Sequence, residues 1–352
     1  MISEVNKSTG VRWWMIIAML GLSALVASRF ANVKQIINGL RQGRLPLVVV
    51  AVVLHLLYFV LYAGLYQVGY KTVGVKARML DLVPLVFVSL FVNALVPTGG
   101  AGGAAIFIDD AIQRGQSGAK TAVGLVWILI ADLASLVPFL FFGDIFLRQH
   151  HALKFYDVLG TGIFLFFISG LCFLMSLAYW RLDLLRAVLS KAYHLVNRLM
   201  GWLKLPNRLG VSWPHQTAQD LSDAVNTVLV TRRWMAITLL VGLFLHALNL
   251  VGLYILFLAF QQSVRLGTLV AGFGIGIVFF IITIVPQGAG AVLGMMTLVF
   301  SSMGIPKTNA LVIALAFRGM NFWLPLLCGF FLIRSLSRFK NSGGLPPSGG
   351  AN

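Results

Sequence analysis

The residues best suited to bind an anionic group lie in two Pro/Gly-rich stretches of the chain. Proline removes a backbone donor and interrupts a helix, and glycine allows left-handed turns and close backbone approach. The amides freed at the start of the following helix carry a partial positive charge, which suits a lipid phosphate. The first stretch supplies Asn93, Pro97, Gly99, Gly100, Gly102 and Gly103, and the second supplies Pro286, Gly288 and Gly290.

Both stretches have the same internal spacing. From the proline to a closing glycine the separation is 18 residues in each copy, from Pro97 to Gly115 and from Pro286 to Gly304. A single copy is explained as well by small residues that allow tight helix packing in a membrane. Two copies at equal spacing favour a functional break in a duplicated unit, as in transporters built from discontinuous helices.

Two ionisable residues fall within apolar segments beyond the breaks, Asp132 after the first and Arg318 after the second. At the repeat offset of 189 residues (286 − 97), Asp132 corresponds to Asn321, which lies about one helical turn from Arg318. Because charged groups in membrane spans are costly and face the bundle interior, we hypothesise an Asp132–Arg318 pair across the repeat interface. The pair is either part of a substrate site or a structural salt bridge.

Other polar residues are weaker candidates. Asp109 closes the first short helix near the interface, where it could contact a lipid headgroup. His55 and His246 stand singly in apolar spans, which is more typical of a hydrogen-bonded helix contact than of a proton relay. His150 and His151 are adjacent and lack further ligands, so we expect no metal site.

The composition is that of a membrane protein with several spans. The chain is 59% hydrophobic and 11% charged, with a mean hydropathy of +0.91, whereas about a quarter of the residues in a soluble domain are charged. Lys and Arg number 27 against 10 Asp and Glu. In a membrane protein this excess indicates interfacial charge that meets anionic lipid headgroups, and we expect no nucleic-acid partner.

Apolar runs of about 20 residues predict the membrane spans. Each Pro/Gly stretch is followed by an apolar piece of about 14 residues, which is too short for a full crossing. We therefore predict an all-α polytopic membrane protein with about eight transmembrane helices and two short re-entrant or half helices in an internal, inverted repeat. The predicted spans lie near 11–28, 45–69, 79–97, 121–143, 158–180, 234–260, 266–285 and 308–333.

The chain is predicted to contain two membrane repeats joined by a linker. The linker carries a basic amphipathic helix that lies either on the cytoplasmic leaflet or on the protein's own cytoplasmic face. The boundaries are 1–180 for the first repeat with its break at 97–103, 181–233 for the linker, 234–340 for the second repeat with its break at 286–290, and 341–352 for a disordered tail.

The orientation depends on the short helices. If each one brings the chain across the membrane, both termini and the linker are cytoplasmic, together with Lys71, Lys76 and Arg78. If neither does, the termini and these cations face outward, against the positive-inside rule. We prefer the first arrangement and expect a multi-pass protein of the bacterial inner membrane.

Residues 91–136 and 285–336 resemble the membrane region of lysylphosphatidylglycerol synthases, the flippase-like family. The order of spans and breaks is compatible with that family across nearly the whole chain. The second stretch is the closer, with Pro286-x-Gly288-x-Gly290, Met303-Gly304-Ile305-Pro306, Ala316-Phe317-Arg318 and Phe322-Trp323-Leu324-Pro325-Leu326.

The resemblance implies an integral membrane lipid translocase that moves an aminoacylated or otherwise modified phospholipid between leaflets. It also implies that Pro97 with its glycines, Asp132, Pro286, Gly288, Gly290 and Arg318 belong to the site. Family members often carry a glutamate within each Pro/Gly motif, where this chain has Gly103 and Leu293 or its neighbour. We recognise no aminoacyltransferase domain, so we expect no synthase activity from this sequence by itself.

The leading hypothesis is a lipid flippase or transporter acting on a phospholipid or a lipid-linked anionic substrate. The alternatives are an accessory scaffold for a separate envelope-lipid enzyme and a membrane-embedded transferase with Asp109 or Asp132 as its base. The sequence contains no Walker A, dinucleotide-binding or zinc-protease motif, so we expect no cofactor and transport that runs downhill or is coupled to an ion. The expected partners are anionic membrane lipids, with a homodimer and a lipid-modifying enzyme as further candidates.

Overall fold

In a computed structural model, every described segment with regular secondary structure is helical. The structure describes residues 43–95, 100–181, 213–282 and 289–342, with part of 183–197; the side chains of 213–217, 289 and 333–342 lie outside the description. The helices with continuous bounds are α1 (Leu45–Thr72), α2 (Met79–Leu95), α3 (Ala101–Gln113), α4 (Gly118–Gln149), α5 (Phe155–Trp180), α6 (Trp213–Val230), α7 (Arg232–Ala259), α8 (Leu266–Ile282), α9 (Ala289–Ser302) and α10 (Lys307–Ser342).

The prediction of an all-α polytopic membrane protein is confirmed. Helices α1, α4, α5, α7 and the segment Lys307–Leu332 of α10 are each long and apolar enough to cross a bilayer. The predicted span at 11–28 and nearly all of the predicted tail lie outside the described residues, although 341 and 342 still belong to α10. The predicted domain boundaries stay a prediction.

Helices α1 to α4 match α7 to α10 in order and in length. Helices α1 and α7 each have 28 residues, α2 and α8 each have 17, and α3 and α9 have 13 and 14. The turn after α3 contains Gly115 at φ 72° and the turn after α9 contains Gly304 at φ 91°. Because glycine adopts this left-handed conformation without steric cost, each short helix closes with the same type of turn.

The two matching units run in opposite directions through the bundle. The Arg44 amide, before α1, donates to the Ala259 carbonyl at the end of α7, at 2.9 Å. At the other end of the same two helices, Thr231 Oγ1 donates to the Thr72 carbonyl at 3.0 Å. Helices α1 and α7 are therefore antiparallel. We call the end with Thr72 and Thr231 the basic end, and the end with Arg44 and Ala259 the opposite end.

Helices α2 and α3 form a re-entrant hairpin. Asp81 in the first turn of α2 and Arg114, which follows α3, form an ion pair at 2.8 Å, so the chain returns to the basic end where it entered. A 17-residue helix is roughly 25 Å long, which is short of a hydrocarbon core of about 30 Å. The span predicted at 79–97 is thus the first arm of this hairpin.

Helices α8 and α9 form the equivalent hairpin from the opposite end. Gly272 lies against the ring of Phe300, and Gly276 lies against the side chain of Met296, which is the antiparallel order. The span predicted at 266–285 is the first arm of this second hairpin. Because the chain returns at the first hairpin to the end it entered, residues 72–79, 114–117 and 181 all lie at the basic end. The side of the membrane that this end faces stays a prediction.

Each hairpin packs against a long helix of the other unit. Gly329 of α10 lies against the Phe87 backbone of α2. At the other contact, a Cβ added to Gly143 of α4 would lie 2.8 Å from Ala271 Cα in α8. Small residues allow helix backbones to approach closely in a membrane. The two units are therefore interlocked, and the middle of the bundle is enclosed by helices from both.

Candidate functional site

Asp132 is at the centre of a buried polar cluster that joins three helices. Tyr62 Oη donates a hydrogen bond to Asp132 Oδ2 at 3.1 Å. His246 Nε2 lies 2.9 Å from the Asp132 carbonyl oxygen and 3.4 Å from Oδ1 of its carboxyl group. The side chains of Asp132 and His246 are 17% and 6% exposed, so the cluster is enclosed by protein.

The cluster lies near the middle of the bundle along its length. Tyr62, Asp132 and His246 belong to α1, α4 and α7, which have 28, 32 and 28 residues. Each of the three is many residues from both ends of its helix. Polar groups at this depth mark ion and substrate pathways in transporters, because burying them without a use is costly.

Close packing between α4 and α7 holds the cluster together. Ser135 Oγ donates to the Asp132 carbonyl at 2.7 Å. Gly242 of α7 faces Ser135, and a Cβ added there would lie 2.5 Å from the serine oxygen. The missing side chain of Gly242 therefore allows α7 to approach α4 closely enough for His246 to reach Asp132.

The cluster retains hydrogen-bonding capacity that the described residues do not satisfy. Asp132 Oδ1 and His246 Nδ1 are buried, and so is Asn249 Oδ1, three residues beyond His246 on α7; among the described residues none of these three atoms has a hydrogen-bond partner. If His246 Nε2 carries the proton that it shares with the Asp132 carbonyl, its Nδ1 is an acceptor. All three atoms can then accept a hydrogen bond, which fits a proton, a cation or a donor group of a substrate. Within the described chain, no group of three or more His, Cys, Asp or Glu is arranged to hold a metal ion.

A stripe of tyrosines connects the cluster to the basic end. Tyr58, Tyr62, Tyr66 and Tyr70 follow one another at four-residue spacing on α1, with neighbouring ring centroids 5.7, 5.6 and 6.5 Å apart. Tyr66 also stacks on Phe107 of α3 at 4.4 Å. The stripe therefore runs from Asp132 along the first re-entrant hairpin.

The structure replaces the hypothesised Asp132–Arg318 pair with a different arrangement. The Asp132 carboxyl group contacts Tyr62 and His246, and the Arg318 guanidinium lies over the Phe280 ring at 4.7 Å. The physical reason is the direction in which each helix face points. Helix α4 presents Asp132 to α1 and α7, whereas α10 presents Arg318 to α8.

At the first break, Asn93 connects the two arms of the hairpin. Its Oδ1 accepts a hydrogen bond from the Gly103 amide at 2.8 Å. Gly100 caps the start of α3 in a left-handed conformation, with φ 97°, and Gly102 lies in the first turn. This arrangement satisfies a helix-start amide that the sequence prediction had assigned to an anion. Of the other break residues, Gly290 lies in the first turn of α9, and Pro97, Gly99, Pro286 and Gly288 lie outside the described residues.

Asp109 and Asn321 bond within their own helices. Asp109 is on the exposed side of α3, where its Oδ2 accepts a 2.7 Å hydrogen bond from Gln113. Asn321 Nδ2 donates to the Phe317 carbonyl at 3.0 Å. Neither of these two hydrogen bonds involves Tyr62, Asp132 or His246.

Charge is unevenly distributed between the two ends of the bundle. At the basic end, partial burial of Arg114 by itself would lower the pKa of its guanidinium. Hydrogen bonds to Asp110 and Asp81 outweigh this effect and raise that pKa. The cations described at the opposite end are Arg44, Arg148, Lys154, Arg265 and Lys307. Those at the basic end are more numerous, namely Lys71, Lys76, Arg78, Arg114, Lys120, Arg181, Arg186, Arg232 and Arg233.

Residues 14–329 match the family model described as the lysylphosphatidylglycerol synthase TM region. The chain belongs to this family. A UPF0104 membrane protein of Pyrococcus horikoshii is 20% identical over 334 residues, which cover 90% of this chain and 96% of the relative. A UPF0104 membrane protein of Methanocaldococcus jannaschii is 21% identical over 340 residues, covering 95% of this chain and 96% of that relative. The resemblance inferred from the two Pro/Gly runs is confirmed.

The residues that the sequence prediction missed are the tyrosines of α1. Their four-residue spacing within an apolar helix is visible in the sequence and indicates a polar stripe on one face. His246 is a helix-to-helix contact, the kind of role expected for a single membrane histidine. His55 instead hydrogen-bonds the Ala51 carbonyl of its own helix at 2.8 Å.

Proposed function

We propose that this protein is a lipid flippase or transporter that moves a phospholipid or a lipid-linked anionic substrate between the leaflets of the bacterial inner membrane. The observation that supports this most directly is the pair of antiparallel units, each with a re-entrant hairpin, around the mid-bundle cluster of Tyr62, Asp132 and His246. Secondary transporters commonly place substrate and coupling-ion sites at the midplane between inverted units with discontinuous helices.

The starts of α3 and α9 have the electrostatic character that this function needs. Both helices begin at the inner tip of a hairpin, so their N-terminal partial positive charges lie within the membrane region. An anionic headgroup passing the midplane could be stabilised there. Asp132 would then take up a proton or cation as the headgroup passes, which fits transport without ATP.

The charge distribution supports a cytoplasmic basic end. Cytoplasmic loops of membrane proteins carry an excess of Lys and Arg, and this excess lies at the end with residues 72–79, 114–117 and 181. In this orientation the linker after α5 and both termini are cytoplasmic.

Leaflet exchange in reconstituted vesicles tests the proposal. The full-length protein is placed in sealed vesicles with phosphatidylglycerol labelled on its headgroup, and dithionite quenching reports the label that remains in the inner leaflet. We expect the labelled lipid to exchange between leaflets faster than in protein-free vesicles. We expect the Asp132→Asn variant to lower this exchange rate about tenfold or more, because it removes a group that acts in the rate-limiting step. Asp144→Asn is the matched control on the same helix, since Asp144 contacts Thr161 outside the cluster.

The other outcomes separate the remaining functions. Exchange no faster than in empty vesicles, with phosphatidylglycerol and with lipid-linked anionic substrates, would overturn the proposal in favour of a scaffold. Formation of a product from a lipid-linked donor would favour a transferase. An equal decrease in the exchange rate in the Asp132→Asn and Asp144→Asn variants would show that the cluster around Asp132 has no specific role in transport.

A further inference from the structure

A cavity of about 580 Å³ opens at the basic end, away from the buried cluster. We call it the basic pocket. Its charged and aromatic lining residues are Lys71, Lys76, Arg78, Asp81, Arg114 and Trp234. They come from the end of α1, the loop before α2, the turn after α3 and the start of α7, so four parts of the fold build one concave surface.

The basic pocket has positive charge in excess of its internal ion pairs. Arg114 is bonded to Asp81 at 2.8 Å and to Asp110 at 2.8 Å. Within the described part of the chain, the side chains of Lys76 and Arg78 form no ion pair, and Lys71 Nζ lies 4.4 Å from the centre of the Trp234 ring. Four cations against two carboxylates leave a net charge of about +2, which suits a phosphate group.

The walls of the pocket are held in place by backbone contacts. Val73 and Val75 are 0% and 4% exposed, and the Val75 amide donates to the Tyr70 carbonyl at 3.0 Å. Gly74 between them adopts φ 72°, and a Cβ added there would meet no atom within 4 Å. The loop is therefore anchored on both sides of a turn that leaves the pocket mouth open.

The second unit shows that the fold does not require the charges of Lys71, Lys76 and Arg114. With the offset of 187 residues between the starts of α1 and α7 (232 − 45), Lys71 and Lys76 correspond to Leu258 and Ser263, whereas Arg78 corresponds to Arg265. With the offset of 189 after the break, Arg114 corresponds to Met303. Gln261 repeats the left-handed turn of Gly74 with φ 57°. Since the same turn exists without them, Lys71 and Lys76 are not needed to form the turn and are available to a ligand.

Trp234 indicates where the ligand comes from. It lies in the first turn of α7, one of the long apolar spans, and tryptophan at the end of a span prefers the headgroup region of a bilayer. Basic pockets between membrane helices bind anionic lipid headgroups.

We propose that the basic pocket binds the phosphate of an anionic membrane lipid through Lys71, Lys76 and Arg78. Binding here does not depend on transport, so its failure would leave the proposed function standing.

Native mass spectrometry of the full-length protein in detergent tests this site with phosphatidylglycerol and phosphatidylcholine as probes. We expect wild-type protein to bind phosphatidylglycerol about tenfold more tightly than phosphatidylcholine. The triple variant Lys71→Gln, Lys76→Gln, Arg78→Gln should lose that preference. The matched control Arg148→Gln, Lys154→Gln, Arg265→Gln removes three exposed cations at the opposite end and should keep it.

Three further measurements make the result specific. The variant Lys71→Arg, Lys76→Arg, Arg78→Lys keeps every charge and should restore the preference, and the thermal unfolding midpoint of each variant checks that it is folded. Inorganic phosphate and glycerol phosphate are added as competitors, and we expect neither to displace the lipid at millimolar concentration. Displacement by inorganic phosphate would show a free-anion site and overturn the lipid assignment. Retained preference in the Gln triple would overturn the site itself.

Discussion

Tyr62 donates a 3.1 Å hydrogen bond to Asp132, and the equivalent positions of the second unit hold Asn249 and Asn321. The offsets of 187 and 189 residues that relate the helices also relate these two pairs (249 − 62 and 321 − 132). Both units therefore keep polar side chains at these positions, but only the first unit has a carboxyl group there. The two units thus have matching positions, but the buried carboxyl group comes from the first unit and its histidine partner, His246, comes from the second.

Removing the Tyr62 hydroxyl tests the contribution of this hydrogen bond to stability. Tyr62→Phe keeps the ring and leaves a buried carboxyl oxygen without its donor, so we expect a loss of about 1 kcal/mol or more in the free energy of unfolding. Tyr66→Phe is the control on the same stripe, because the Tyr66 ring stacks on Phe107 and this contact remains. Thermal unfolding in detergent measures both variants. Equal midpoints for the two would contradict the assigned hydrogen bond.

Double-mutant cycles distinguish the partners of Asp132. His246 touches Asp132, so Asp132→Asn and His246→Ala should couple by about 1 kcal/mol. Asp132→Asn and Arg318→Gln should be additive to within about 0.5 kcal/mol, because Arg318 lies over Phe280. Urea or thermal unfolding of the single and double variants gives both coupling energies. A larger coupling with Arg318 than with His246 would restore the ion pair expected from the sequence.

The hydrogen bond between Asn93 and Gly103 predicts a non-additive pair of substitutions. A Cβ added at Gly103 would lie 2.5 Å from Asn93 Nδ2, so Gly103→Ala should destabilise the protein by about 1 to 3 kcal/mol. In an Asn93→Ala background the obstruction is gone, and the same change should cost less than half as much. Unfolding midpoints of the four proteins check this. An identical cost in both backgrounds would show that Asn93 does not lie against Gly103.

The interlocked packing of the two units predicts that two glycines are intolerant of substitution. Gly143→Ala and Gly329→Ala each add a methyl group against the backbone of the other unit, at Ala271 and Phe87, and should cost about 1 to 3 kcal/mol. Gly170→Ala is the matched control on α5, where a Cβ would meet no atom within 4 Å. The control should leave the unfolding midpoint unchanged or raise it slightly. Equal effects at all three positions would argue against the close contacts.

Labelling of single cysteines tests the re-entrant hairpins. In a variant with Cys172 and Cys328 replaced by alanine, cysteines at Lys76 and Arg114 should react from the same side of the membrane, because α2 and α3 enter and leave at one end. A cysteine at Lys154 should react from the other side, since α5 begins at the opposite end. A membrane-impermeant maleimide applied to intact cells and to inverted vesicles reads this out. Reaction of the Lys76→Cys and Arg114→Cys variants from opposite sides would contradict the hairpin.

Local patterns in the sequence predicted the parts of the fold that depend on neighbouring residues. Apolar runs located the long helices, because the membrane requires about 20 apolar residues for each crossing. The repeated proline and glycine spacing predicted two short helices, which the structure shows as α3 and α9, each closed by a left-handed glycine at 115 and 304. These features follow from hydropathy and backbone sterics, which act over a few residues at a time.

Predictions that joined distant residues were less accurate. The Asp132–Arg318 pair was inferred from the repeat offset, but the offset carries no information on which face of α4 meets which helix. Asn93 was predicted to belong to a substrate site, and that stays a prediction; the hydrogen bond that it accepts from Gly103 was not predicted. A helix face finds its neighbour through the packing of the whole bundle, which no single segment specifies.

The sequence by itself determined that this protein is a helical membrane protein of the lysylphosphatidylglycerol synthase TM region family with a duplicated Pro/Gly break. The tertiary structure decided that Tyr62, Asp132 and His246 meet in the middle of the bundle, and that Lys71, Arg114 and Trp234 line one pocket at its end. The reason is physical. Hydropathy and turn preference are local properties of the chain, whereas these arrangements bring together residues 43 to 184 positions apart (114 − 71 and 246 − 62) and exist only once the helices have packed.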